Sequence, residues 1–301
     1  MSHVKCMADA SKHPDMQTDN LVTLSRGTLK AGVIADRGSV ASFSVGDLDV
    51  LRPTSAEAIS KDILNAACYP CVPYFGRMPN VFGWHKETYA LSPTHPDIGV
   101  IHGEGWRRPW AVTDKTEDSL KLRLEYQPDE QGAWPFAFSA TLAFWLSENC
   151  LSIKLDVTNT EDFDAPMGAA LHPFFPRSSQ TRLSFSSEKL WVPSMEQPFH
   201  DGQYIDLKSD PPTRKPFLLP TTEQDCTYVG VKGSVEIDAV DYKIQLTTNV
   251  SNLHLYAPAD KPFFCLEPTT MLPGQLMTDR SNIVEPDESK SVSLRIGVME
   301  A

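Results

Sequence analysis

Long hydrophobic runs are missing from this sequence: no window approaches the ~20 apolar residues that a membrane span requires. The first twenty residues carry charge where a signal peptide would be greasy, so a cytoplasmic location is expected. Basic clusters are missing too. Lys plus Arg number 27 against 39 Asp plus Glu, a formal net charge of −12, and no stretch concentrates cations as a phosphate-binding face needs. That argues against nucleic acid and anionic membranes as partners. No His-Glu-x-x-His spacing occurs among the eight histidines. The six cysteines (Cys6, Cys68, Cys71, Cys150, Cys226, Cys265) are scattered through a chain large enough to fold without staples, and read as reduced thiols. Only Cys68-Tyr69-Pro70-Cys71 has the spacing of a redox dithiol or half a zinc site, but no βαβ pattern follows it and no second pair completes a zinc site. Helical periodicity is scarce as well: Ser55 to Ala67, with Ile59, Ile63 and Leu64 on one side, is the single good stretch.

What the sequence has in quantity is alternation. Leu122, Leu124 and Tyr126 alternate with Lys121, Arg123 and Glu125, and Leu151 to Val157 repeats the pattern. The same period of two runs through Phe136 to Trp145, Lys243 to Thr247, Leu253 to Tyr256 and Val292 to Val298. The 24 prolines favour many turns and short strands. Strands with one wet face must bury the other against one another, so the expected fold is all-β, a large antiparallel β-sandwich with few short helices. No linker divides it; residues 1–20 read as a flexible leader and residues 21–301 as one sandwich domain.

Four segments set titratable residues among aromatics and prolines: Val72 to Asn80, Ile101 to Trp106, Gly168 to Pro176 and Phe263 to Pro268. In the last, Glu267 is a lone carboxylate after Phe263-Phe264-Cys265-Leu266. Buried, it would be pushed toward neutrality, as a general base or acid needs; turned outward at a strand end, it would be ordinary. His172, between Leu171 and Pro173-Phe174-Phe175, is open to a core or a catalytic reading in the same way. Together they supply one acid and one base, with Arg77, His102 and Asp225 as polar contacts and Trp106 and Trp110 as a stacking wall, a kit suited to a neutral polyol such as a sugar.

The ordered set Pro73-Tyr74-x-x-Arg77, His102-Gly103, Gly168-x-x-x-His172-Pro173-Phe174-Phe175, Asp225 and Glu267-Pro268 resembles the aldose 1-epimerases, or galactose mutarotases. That resemblance implies a large twisted β-sandwich and interconversion of the α and β anomers of a free monosaccharide, with no metal and no organic cofactor, by a monomer or homodimer. It makes Glu267 the general base and His172 the general acid, and has Arg77, His102 and Asp225 hold sugar hydroxyls; Trp106, from the stacking wall read above, is a further expected substrate contact. Phe75-Gly76 departs from the Ser-Asn usual before the arginine, which implies a lost contact to the sugar or room for a bulkier substituent. Arg107 and Arg108 open a second possibility, a hexose phosphate as substrate. A non-catalytic sugar-binding or sensing protein of the same fold is the rival from another class. A glycoside hydrolase ranks low because it needs two carboxylates.

Overall fold

The computed structural model describes residues 20–129, 134–194, 202–207, 216–239 and 242–299. Residues 1–19 of the expected leader, with Cys6, lie outside the described residues. Two large antiparallel sheets, of eleven and nine strands, carry the fold, as the alternation requires. The alternating segments emerge as strands Ser119–Tyr126, Phe138–Ser147, Cys150–Asn159, Lys243–Thr248, Asn252–Ala257 and Ser289–Met299. The last of these lies inside the nine-stranded sheet, between Cys150–Asn159 and Lys243–Thr248. In Ser119–Tyr126 every second residue from Leu120 is buried and the intervening ones are exposed, the signature of a sheet with one wet face.

The middle of the eleven-stranded sheet is built differently. Its successive strands are Cys68–Cys71, Ala170–Pro176, Phe263–Thr269, Asn252–Ala257 and Gln224–Val229. Phe263–Thr269 is buried at every residue after the first, on both faces. Phe264 and Leu266, with Leu171 and Leu255 of the neighbouring strands, join one apolar core with Leu151, Ile153, Val292 and Leu294 of the other sheet. Ala170–Pro176 and Phe263–Thr269 pack on Ser289–Met299, which fixes the layers face to face. The opposite face of these central strands carries polar side chains, and there the candidate site lies.

One local expectation is corrected and one, the reduced thiols, is upheld. The helix read over Ser55 to Ala67 is a short α-helix, Ala56–Lys61, followed by the 3-10 turn Ile63–Asn65. Asp62 breaks it: its backbone is extended and its carboxylate accepts from the Leu64 amide, the kind of competing bond that takes Asp out of helix interiors. Cys68 and Cys71 are not a dithiol. They stand three apart on one strand, so their side chains project to opposite faces, and all five cysteines among the described residues are free. Among the described residues no helix is long and apolar enough to cross a membrane.

Candidate active site

Strand register assembles the site. Tyr69 pairs with His172, Glu267 with His254, and His254 with Thr227. Ala170 pairs with Thr269 and Phe174 with Cys265, which sets His172 level with Glu267. Directly opposed residues project to the same face, so Tyr69, His172, Glu267, His254 and Thr227 form one row across five strands. Two residues along, Phe174, Cys265, Tyr256 and Asp225 form the next. Residues separated by up to two hundred positions in sequence thus share one surface.

His172 Nε2 stands 3.4 Å from Glu267 Oε1, and the Glu267 side chain is 1% exposed. Neither Glu267 oxygen has a hydrogen-bond partner, nor has His172 Nδ1. Such a carboxyl group is costly to charge: burial, and then the negative charge of Asp225, hold Glu267 well above the ordinary carboxylate range. Burial, reinforced by His102 and His254, holds His172 well below the ordinary imidazole value. The two shifts favour a pair that holds one proton between them. The imidazole packs against two aromatic rings, Tyr69 at 4.6 Å and Phe174 at 4.7 Å, which help to hold its orientation.

Two loops bring the remaining polar groups over this row. His102 and Gly76 clip together: the His102 amide donates to the Gly76 carbonyl at 3.0 Å, and the Gly76 amide donates to His102 Nδ1 at 3.2 Å. Burial, then His254 and Arg77, push the His102 imidazole down to about 3, with Asp225 opposing, so the ring is neutral at ordinary pH. Since Nδ1 accepts, the proton sits on Nε2, and the ring, edge-on to His172 at 5.2 Å, offers a fixed neutral donor. Gly103 makes the crossing of the loops possible. Its φ is +70°, and a Cβ there would collide with the Val72 carbonyl. Gly103→Ala is therefore expected to lower stability by about 2 kcal/mol or more in denaturant unfolding; a wild-type midpoint would show that this contact carries no weight.

Arg77 is exposed, donates to the Ile98 carbonyl at 3.1 Å, and acts on both His102 and Asp225 by its charge. Asp225, 57% exposed at the side chain, meets His254 Nε2 at 3.3 Å. Loss of water opposes its ionisation, but the hydrogen bond and charge of His254, with Arg77 and His102, hold it below the usual carboxylate range. His254 is fixed in turn by Thr227, with 2.9 Å from Nδ1 to the hydroxyl. The structure thus brings Arg77, His102, His172, Asp225 and Glu267 together on one side of the central strands. Trp106 is 5% exposed, about as buried as His102 and His172, and packs beside Tyr69 and His95 on the Glu104 to Arg108 turn. Arg108 is spoken for: it binds Glu104 at 2.6 Å and Asp129 at 2.7 Å, while Arg107 lies 3.7 Å from Glu104. Arg108 is therefore no free phosphate ligand, whereas Arg107 Nη1 has no hydrogen-bond partner.

The pattern of the aldose 1-epimerase family matches residues 20–297. The chain belongs to that family. It is 29% identical over 267 residues to YphB of Escherichia coli K12, an uncharacterized protein, covering 84% of this chain and 89% of that one. A crystal structure from Escherichia coli K12, provisionally described as an aldose 1-epimerase, superposes with a TM-score of 0.81 at 26% identity, over 93% of this chain and 99% of the other. Galactose 1-epimerase of Lactobacillus acidophilus NCFM shares the fold, with a TM-score of 0.77 at 16% identity, over 93% of this chain and 94% of that one.

Within the aldose 1-epimerase family, the departure at Phe75-Gly76 now has a physical reading. Gly76 has a φ of +79°, a conformation that asparagine and glycine tolerate best, so glycine substitutes for the usual Asn without strain. Phe75 is buried, its ring 5.4 Å from His102 and 5.3 Å from His254. It fills space beside these two rings, which speaks against extra room for a bulky substituent there. Sequence reasoning missed Tyr69, His254 and Thr227. His254 had a visible signal, a polar residue between Leu253 and Leu255 in an alternating strand; Tyr69 and Thr227 had none, since only register brings them into the row.

Proposed function

We propose that the protein is a mutarotase that interconverts the α and β anomers of a free aldose by opening and reclosing the ring. The observation that supports this best is the buried Glu267, free of hydrogen-bond partners and 3.4 Å from His172. Ring opening takes a proton from the C1 hydroxyl and gives one to the ring oxygen. Those two oxygens are bonded to the same carbon, so an acid and a base set this close can reach both. A pair holding one proton suits this chemistry, since one member delivers it as the other accepts, and on closure from the opposite face the roles exchange. Hydroxyl groups of the sugar would supply the hydrogen bonds that Glu267 lacks and favour its ionised form. Arg77 and the His102 Nε2–H would donate to other hydroxyls, and Asp225 would accept from them. Each acid or base contributes ~10²–10⁴ in rate, sufficient for a reaction that already proceeds in water.

The reading is separated from its rivals by substrate chemistry. An aldose with a free anomeric hydroxyl is expected to equilibrate rapidly, whereas its methyl glycoside, lacking that proton, should bind as a weak competitive inhibitor and stay intact. A non-catalytic sugar-binding protein would change neither compound. Methanol released from the glycoside at a rate tied to Glu267 would replace this reading with hydrolysis. Polarimetry or NMR of freshly dissolved pure anomers, across a panel of aldoses, makes the measurement.

A further inference from the structure

The face of the sheet that carries the acid–base pair also carries a thiol. Cys265 lies two residues before Glu267 on the same strand, hence on the same face, with its side chain fully buried. One ligand atom from each of His172, Cys265 and Glu267 lies within 4.8 Å of the others. The rest of the mechanism makes no use of Cys265. We propose that His172, Cys265 and Glu267 form a binding site for a zinc-type divalent cation, which occupies the acid–base pair and blocks it.

The donor set selects the ion. One sulfur, one imidazole nitrogen and one carboxylate oxygen are the ligands that zinc and its chemical relatives accept in tetrahedral sites, with a water as fourth ligand. Magnesium and calcium need six or more oxygens, and this cluster offers only those of Glu267. In tetrahedral zinc sites neighbouring ligand atoms stand about 3.3–3.7 Å apart. His172 and Glu267 already have that spacing at 3.4 Å, and modest side-chain rotation suffices for the sulfur. Charge balance favours the complex. On binding, the thiol releases its proton to solvent, as does the carboxyl group where it is protonated, and the resulting thiolate and carboxylate neutralise the two positive charges of the ion in a buried place. The orphaned oxygens of Glu267 gain the partner they lack. Access and the blocking effect rest on the proposed function, since a path that admits an aldose to Glu267 admits a hydrated ion; the ligand set itself does not depend on it.

Cobalt(II) titration of the metal-free full-length chain tests the site. One equivalent should bring a near-ultraviolet thiolate-to-cobalt charge-transfer band and the visible bands of a four-coordinate ion, both displaced by zinc. In Cys265→Ser the charge-transfer band should vanish and zinc affinity fall at least ~10-fold, while basal anomer equilibration and circular dichroism stay as in the wild type. Zinc should slow the wild type in competition with aldose, chelator should restore it, and Cys265→Ser should resist. Absence of the band at saturating cobalt, the same band in Cys265→Ser, or equal zinc inhibition of both proteins would overturn the proposal. Should Cys265→Ser misfold, cadmium-113 NMR of the wild-type chain reads thiolate ligation directly, and a spectrum without sulfur coordination overturns it equally. A chain that binds cobalt through Cys265 but never equilibrates anomers would sink the mutarotase reading and leave the metal site standing.

Discussion

Glu267→Gln is expected to reduce kcat by ~10²–10⁴ while leaving sugar binding and the fold nearly unchanged. The exchange keeps the shape of the side chain and removes only its capacity to take up and release a proton. Stability gives the prediction a second edge. The Glu267 carboxyl group is 1% exposed, has no hydrogen-bond partner, and is driven by burial toward its neutral form, so the site is a poor host for charge. A neutral amide of the same size removes that penalty, and the variant should melt at the wild-type temperature or above it. Activity lost together with stability would mean that the carboxylate holds the fold instead. A well-folded variant that equilibrates anomers at near wild-type rates would remove Glu267 from the mechanism. Polarimetric rates and a thermal melt on the same preparation decide between these results.

Much of the fold was legible because a half-buried strand writes its geometry into the sequence with a period of two. Ser119–Tyr126 and Cys150–Asn159 could be read within a residue or two of their ends on that basis alone. The helix over Ser55 to Ala67 was over-read, because the apolar spacing of Ile59, Ile63 and Leu64 persists across Asp62, whereas the backbone does not. Glu267 and His172 stood out for a related reason. Their strands are buried on both faces and otherwise apolar, so an ionisable residue within them breaks the pattern.

The partners of that pair were harder to see. Tyr69, His254 and Thr227 reach it through strand pairing between segments far apart in the chain, and a single sequence carries no statement of register. Arg108, which with Arg107 opened the possibility of a phosphate site, is instead tied to Glu104 and Asp129. The correcting signal was local: Glu104 precedes Arg107 and Arg108 by three and four residues, the spacing at which one turn brings a carboxylate onto two guanidinium groups.

The pH profile and the His172→Asn variant test the acid–base pair from its other side. The active form is the one in which His172 and Glu267 hold a single proton between them, so anomer equilibration in chelator-treated buffer should follow a bell. The acid limb marks entry of a second proton. Burial and then His102 depress His172, which moves this limb below the ordinary imidazole value. The alkaline limb marks loss of the last proton, and burial with Asp225 raises Glu267, which moves that limb above the ordinary carboxylate range. Both shifts widen the working window. His172→Asn removes one partner, and kcat should fall by ~10²–10⁴. What remains needs only ionised Glu267, so the residual rate should climb as pH rises through the Glu267 titration and then stay level, its alkaline limb gone. A purely structural role for His172 would lower the rate and keep the bell. A wild-type rate with only one limb over the whole pH range in which the protein stays folded, after correction for buffer catalysis, would contradict the shared proton itself.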